Sequence, residues 1–159
     1  MTKSRTAEGD ELFVRAWMLL DAGRPTRAFG LFLSAARLGH DSSQVLVGYL
    51  HYLGRGVRRS QKEAFSWYRK AARRGNVAAV SNIGILYKEM GSLGLAKRWL
   101  KRAVSMGLTD SLLDLAKIEV EHGSEKVAER HLRKLLKHRD DISEGTEEEA
   151  RAMLARIEK

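Results

Sequence analysis

Apolar residues recur along this chain in steps of three and four, and the runs break at glycines. Steps of that size place side chains on one face of a helix. The spacing predicts helices over 8–22, 25–38, 42–53, 61–74, 77–90, 93–106, 110–122 and 125–138. A ninth helix, 147–158, carries Ala150, Met153, Leu154 and Ile157 on one face. Gly23, Gly39, Gly75, Gly91, Gly107 and Gly123 stand where helices should end, because glycine takes the left-handed conformation that closes a last turn. Pro25 suits the first turn of its helix. Ser60 with Glu63, and Thr146 with Glu149, have the spacing of a capping box.

The pattern also repeats over longer distances. "GHDSSQVLVGYL", "GNVAAVSNIGIL" and "GLTDSLLDLAKI" begin at Gly39, Gly75 and Gly107, spacings of 36 and 32 residues. The longer unit contains an extra "GRGV" turn, and a further unit fits the same frame from Ala7. In the second half of each unit a small residue recurs at Ala28, Ala64, Ala96 and Ala128. Three places on stand Leu31, Trp67, Trp99 and His131, and seven places on Ala35, Ala71, Ala103 and Leu135. These positions share a helical face, with alanines permitting close approach and large residues filling the groove beside them. The chain is therefore expected to hold four helix pairs, 7–38, 39–74, 75–106 and 107–139. A flexible N-terminus, 1–6, precedes them, and an acidic linker with a capping helix, 140–159, follows.

Composition agrees with an all-helical chain: one proline in 159 residues and 43% apolar residues, enough for one domain with a core. No cysteine is present, which excludes disulfides and thiolate chemistry. No apolar run approaches the roughly 18 to 20 residues needed to span a bilayer. The opening "MTKSRTAEGDE" has no apolar h-region, so no secretory signal is visible and a cytoplasmic protein is expected. The net charge of +9 is uneven, with a net of −4 over 140–159 and +13 over the rest. A basic body suits an acidic protein or a nucleic acid as partner.

The second unit resembles the Sel-one-like repeat, whose outline is A-x-x-x-L-G-x-x-Y-x-x-G-x-G-V followed by A-x-x-W-[YF]-x-x-A-A-x-x-G. Val47 and Gly48 stand at L-G, Gly54, Gly56 and Val57 supply G-x-G-V, and Ala64, Trp67, Tyr68, Ala71, Ala72 and Gly75 follow. Ser43 and His51 depart from the pattern. The third unit keeps Ala79, Gly84, Tyr87, Ala96, Trp99, Ala103 and Gly107 but lacks the G-x-G-V insert, and looks more like a plain tetratricopeptide repeat. The first and fourth units are degenerate. The resemblance implies a right-handed α-solenoid of four helix-turn-helix repeats, and members that are mostly adaptors with diverse partners. It also answers what "GRGV" is: a joint between two helices of one unit. A phosphate loop would need a preceding strand and a Gly-Lys-Ser/Thr ending. Gly48 and Gly84 lie inside helices at a cost of about 1 kcal/mol each in propensity, which close helix contact would offset.

In the tetratricopeptide frame the first helix of each unit lines the concave face. The expected groove positions are Phe13, Trp17 and Leu20, then Val45, Tyr49 and Tyr52, then Ser81, Ile85 and Lys88, then Leu113, Lys117 and Val120. The aromatic members are candidate binding anchors; Phe13 and Trp17 are equally explained as core of a degenerate first unit. Arg69, Lys101 and Arg133 are equivalent by repeat, as are Lys70, Arg102 and Lys134. With Arg73, Arg74, Arg58 and Arg59 they form a basic ladder, either a solvated face or a strip that steers an acidic protein or a phosphate backbone. The ladder lacks the interleaved exposed aromatics of a single-strand binding platform.

Catalysis has little to stand on. The histidines, at 40, 51, 122, 131 and 138, form no H-E-x-x-H spacing, and His51 and His131 occupy core positions of the repeat. No G-x-S-x-G is present, and Glu147, Glu148 and Glu149 are read as complementing a helix dipole. The sequence therefore implies no enzyme, no metal and no cofactor. The expected function is an adaptor that takes a partner protein or peptide in its groove, a specialised version being an inhibitor or immunity protein of a toxin or effector. A second copy of the chain filling the groove, or nucleic acid on the basic ladder, are the competing occupants.

Overall fold

The structure, a computed structural model, describes residues 4–158. Among these residues there are nine α-helices and no strand. The helices are α1 (Arg5–Asp21), α2 (Pro25–Arg37), α3 (Asp41–Leu53), α4 (Gln61–Arg73), α5 (Val77–Glu89), α6 (Leu93–Ser105), α7 (Ser111–Glu121), α8 (Glu125–Leu136) and α9 (Glu144–Ile157). A single 3-10 turn, Arg139–Asp141, precedes α9. The all-helical class and the paired helices agree with the sequence reading. Of the N-terminal stretch expected to be flexible, residues 1–3 lie outside the described residues, and Arg5 and Thr6 already belong to α1.

The chain forms two compact units, residues 1–79 and 80–159, with the division inside α5. In the first unit α1 packs on α2, α2 on α3 and α3 on α4. Its core is built from Ala16, Leu20, Ala28, Phe32, Val47, Leu50 and Trp67. In the second unit α6 packs on α7, α7 on α8 and α8 on α9. There Ala96, Leu100, Leu115, Ile118, Ala128, Leu132 and Leu135 form the core, and Met153, Leu154 and Ile157 of α9 close over it. The apolar face expected for the last helix is thus the face it buries.

The repeat alanines are completely buried, as close helix contact requires. The deepest large side chains, however, stand four residues beyond them, not three. Phe32, Tyr68, Leu100 and Leu132 are at most 2% exposed. Of the three-step column only Trp67 is buried; Leu31, Trp99 and His131 are half-buried. Both steps fall on one helical face, and the neighbouring helices select the deeper of the two. Burying each of the four stabilises the fold by roughly 1.5–3 kcal/mol.

Helix ends follow mostly local chemistry. Each of the six boundary glycines has positive φ. The Ser60 hydroxyl accepts from the Glu63 amide, as its cap spacing predicts, and Asn76 Oδ1 accepts from the Ala79 amide at 3.0 Å. One cap differs from expectation, and another was not foreseen. The last helix begins at Glu144, where Ser143 accepts from the Thr146 amide at 3.2 Å. Thr146 and Glu149 are therefore interior, and only Glu147 of the three glutamates lies in the first turn. His40 caps α3, its Nδ1 accepting from the Ser43 amide at 3.2 Å. Asp41, the more usual capping type, instead meets Arg74 at 2.7 Å and ties the start of α3 to the end of α4.

Candidate functional site

The first unit places its exposed apolar surface on one kind of helix. Val14, Trp17 and Met18 of α1 and Tyr49 and Leu53 of α3 are between 40 and 67% exposed, and among the described residues they are this unit's exposed large hydrophobic side chains. All five lie on the first helix of a pair. On α1 the buried residues are Gly9, Ala16 and Leu20, so Val14 and Met18 point away from the core. On α3 the buried set Ser43, Gln44, Val47, Gly48 and Leu50 leaves Val45, Tyr49, Tyr52 and Leu53 on the opposite side. The Tyr49 and Tyr52 rings lie nearly parallel, 26° apart with centroids 6.3 Å apart. Arg59 donates from Nε to the Tyr52 carbonyl oxygen at 3.1 Å, and its guanidinium stands 6.0 Å from the Tyr52 ring centre.

Trp17 is partly packed and partly exposed. Its ring meets those of Phe13 (6.2 Å) and Phe32 (5.7 Å) in T-shaped contacts, while two-fifths of the residue faces solvent. Phe13 is half-buried, packed between Phe32 at 5.8 Å and His40 at 4.7 Å. His40 is held on both nitrogens. Nδ1 accepts from the Ser43 amide and lies 2.7 Å from the Ser43 hydroxyl, so the ring proton sits on Nε2, 3.3 Å from Asp10.

Several expected groove residues are not available to a partner. Leu20 is a core residue, 6% exposed, because it falls on the buried side of α1 with Ala16. Ser81 is also buried, and its hydroxyl is 2.9 Å from that of Ser111. Leu113 is buried. Ile85 and Val120 are half-buried. Lys88 pairs with Glu121 at 2.9 Å, and Lys117 with Glu149 of α9 at 2.8 Å. Burial raises the nearby Asp114 carboxyl above its ordinary range, with Lys117 and Lys88 opposing the shift. Sequence reading missed Val14, Met18 and Leu53 as surface groups. Their positions on the solvent side of α1 and α3 follow once the buried alanine and leucine columns are known.

The repeat-equivalent bases of the ladder lie on second helices, whereas Arg58 and Arg59 lie in the joint before α4 and Arg74 follows its last residue. Arg69, Lys70 and Arg73 lie on α4, Lys101 and Arg102 on α6, and Arg133 and Lys134 on α8, all exposed. Part of the ladder serves the fold. Lys70 Nζ stands 4.0 Å from the centre of the Trp67 ring, and the equivalent Arg102 stands 5.4 Å from that of Trp99. Arg69 lies 5.9 Å from the Phe65 ring centre. Such cation–π contacts contribute about 0.5–1 kcal/mol at exposed sites. Arg133 bridges Glu129 at 2.8 Å and Glu158 at 3.1 Å.

A cleft of about 560 Å³ opens in the second unit among α6, α7 and α8. Lys101, Arg130, His131 and Lys134 stand on its rim and walls, with Val104 and Leu115 among its apolar lining. At its base Glu119 is buried and takes Lys97 Nζ at 2.9 Å on each carboxylate oxygen. Burial pushes the His131 imidazole below its ordinary range; Glu119 opposes this, and Lys101, Arg130 and Lys134 reinforce it. Among the described residues no three His, Asp or Glu side chains come together in a metal-binding group. His51 instead meets Phe29 edge-on at 5.2 Å. No described helix is long and apolar enough to cross a membrane.

The "GRGV" joint is structural. Gly54 ends α3 with φ of 74°, and Gly56, with φ of 77°, lies against the Pro25 carbonyl where any Cβ would overlap it. Val57 packs on the first-unit core, and the Ser60 amide donates to the His51 carbonyl at 2.8 Å. A helix–joint–helix unit with buried alanines, a buried tryptophan and this glycine turn is a specific pattern. The Sel1 repeat family model matches residues 23–40, 41–76 and 90–108. The chain carries Sel1 repeats. The match takes in the whole second pair, α3 with α4, but only the second helices α2 and α6 of the pairs beside it.

Solved structures of Sel1 and tetratricopeptide repeat proteins share the fold. One is a Sel1 repeat protein from Oxalobacter formigenes, 20% identical over 82% of this chain and 58% of that one, with a TM-score of 0.69. A second is a protective antigen present in uropathogenic Escherichia coli strains and displaying this repeat fold, 23% identical over 80% of this chain and 30% of its own, with a TM-score of 0.68. A third is a tetratricopeptide repeat protein from Parabacteroides merdae, 17% identical over 96% of this chain and 60% of that one, at 0.69. The chain thus spans 58%, 30% and 60% of these three proteins' lengths. No curated protein matches the chain by sequence. Sel1 and tetratricopeptide repeats generally serve as non-enzymatic scaffolds for contacts between proteins.

Proposed function

We propose that this Sel1-repeat chain is a non-enzymatic binding module that takes a segment of a partner protein on the first-helix face of its first unit. One observation carries the reading: among the described residues, every exposed large hydrophobic side chain of that unit lies on α1 or α3, none on α2 or α4. A soluble helix normally turns its apolar residues to the core, and a patch retained outside it marks a contact surface. Trp17, Tyr49 and Tyr52 are the anchors, since large amphipathic rings supply contact area at low entropic cost. Val14, Met18, Val45 and Leu53 extend the patch. Arg55, Arg58 and Arg59, exposed in the joint that follows α3, favour an acidic segment. Blocking a toxin or effector is one use to which such a surface lends itself.

The experiment is capture from native lysate with nuclease present, comparing the parent chain with Tyr49→Ser/Leu53→Ser, both of whose side chains lie outside the core. The expected result is one stoichiometric protein that the double variant loses. Recovery of nucleic acid equally by both forms in a parallel capture without nuclease would move the function to the second-helix bases. A concentration-dependent dimer abolished by the same variant would identify a second copy of the chain as the occupant.

A further inference from the structure

The α6–α7–α8 cleft has a counterpart in the first unit that is already filled. The repeat offset pairs His131 with Trp67, Val104 with Ala36 and Leu115 with Val47. In the first unit Trp67 packs in one cluster with Ala36 and Val47, and Lys70 lies over its indole at 4.0 Å. In the second unit the smaller imidazole of His131 stands at the tryptophan position, and the space beside it is the cleft of about 560 Å³. That volume is within the roughly 300–1,000 Å³ range of ligand pockets. Lys134 occupies the place of Lys70, ready to cover a ring inserted from outside. Lys101 and Arg130 add two more cations at the rim, and neither they nor Lys134 makes an ion pair or hydrogen bond within the described residues.

We propose that this cleft binds an aromatic side chain flanked by carboxylates, supplied by an acidic peptide segment of a partner protein. The ring takes the space that an indole fills in the first unit, against Val104 and Leu115 and beneath the Lys134 ammonium. Carboxylates on either side of it meet Lys101 and Arg130, which come from different helices and so suit two acids better than one. The buried Glu119 is paired with Lys97, which offsets its repulsion of the ligand's charge. This site lies in the second unit and does not depend on the first-helix proposal.

The test titrates the full chain with acetyl-Asp-Trp-Glu-amide and, separately, with 3-indolepropionate, following backbone amide shifts by nuclear magnetic resonance. The expected result is a saturable shift of α6, α7 and α8 amides with the peptide, at least about tenfold tighter than with the free acid. His131→Trp refills the space from within and should abolish the shift. Lys134→Ala should weaken the peptide about two- to fivefold through loss of the ring contact. If His131→Trp does not fold, as judged by circular dichroism, Lys101→Glu/Arg130→Glu at the rim replaces it, with at least about a tenfold loss expected. No saturable shift up to about 10 mM peptide, a limit near 3 kcal/mol of binding free energy, overturns the proposal. So does a shift that survives both the filling and the charge-reversing variants. Equal affinity for the free acid assigns the cleft to a small aromatic acid instead, and overturns the peptide as its ligand.

Discussion

Gly48 offers the sharpest check on how these helices are held together. It lies inside α3, where glycine costs about 1 kcal/mol of helix propensity relative to alanine. A Cβ there would stand 2.6 and 2.7 Å from two ring carbons of Tyr68, which is 2% exposed and packed in α4. Ordinary carbon contacts are about 3.5–4.0 Å, so the ring would have to retreat by roughly 1 Å. Overpacking of that order costs about 1–3 kcal/mol. Gly48→Ala is therefore expected to lose about 0–2 kcal/mol net, since the propensity gain offsets only the first kcal/mol. Gly30 supplies the control: it is exposed inside α2, and a Cβ there meets nothing within 4 Å. Gly30→Ala should gain up to about 1 kcal/mol. Urea unfolding followed by circular dichroism at fixed pH would measure both. The expected separation is the overpacking cost, about 1–3 kcal/mol, or roughly 2–12 °C in melting temperature. If Gly48→Ala is as stable as Gly30→Ala, the close approach of α3 to α4 is not what selects glycine, and the reasoning fails.

Two further predictions use the same assays. Trp67→Ala should cost about 3–5 kcal/mol, as truncations of large core side chains do, whereas Trp17→Ala should cost clearly less because two-fifths of the residue is already exposed; urea midpoints in the reverse order would show that the two faces have been misassigned. His131 has a folded pKa below its ordinary 6.5, so the native state binds fewer protons than the unfolded chain in the window just under that value. The stability this contributes is complete above pH 6.5 and is lost as pH falls through the lowered folded value. His131→Gln should flatten the decline in unfolding free energy between about pH 7 and 5; an unchanged slope would place the acid sensitivity elsewhere.

Local features were legible because they depend on few neighbours. The six boundary glycines, Pro25 at a helix start and Ser60 as a cap all act within one turn of backbone, and the structure agrees with each. His40 was not legible as a cap, because its imidazole serves only once Asp10 and Phe13 of α1 have been packed beside it. Thr146 and Glu149 had capping spacing, yet Ser143 starts the helix three residues earlier, a choice the spacing alone does not make. The groove column was legible as a helical stripe but not residue by residue. Leu20 and Tyr49 occupy comparable stripes, and only the packing of α2 and of α4 decides that one is buried and the other exposed.

By itself the sequence determined the helices, their pairing and the repeat, because periodicity and glycine placement are properties of the chain's own geometry. Tertiary structure decided which step of each stripe goes deepest, putting Phe32, Tyr68, Leu100 and Leu132 at the centre. It also decided that the ladder bases Lys70 and Arg102 lie over tryptophan rings, and that a cleft opens beside His131. Those outcomes depend on distances between helices far apart in sequence, and on volume left unfilled. A one-dimensional pattern records neither.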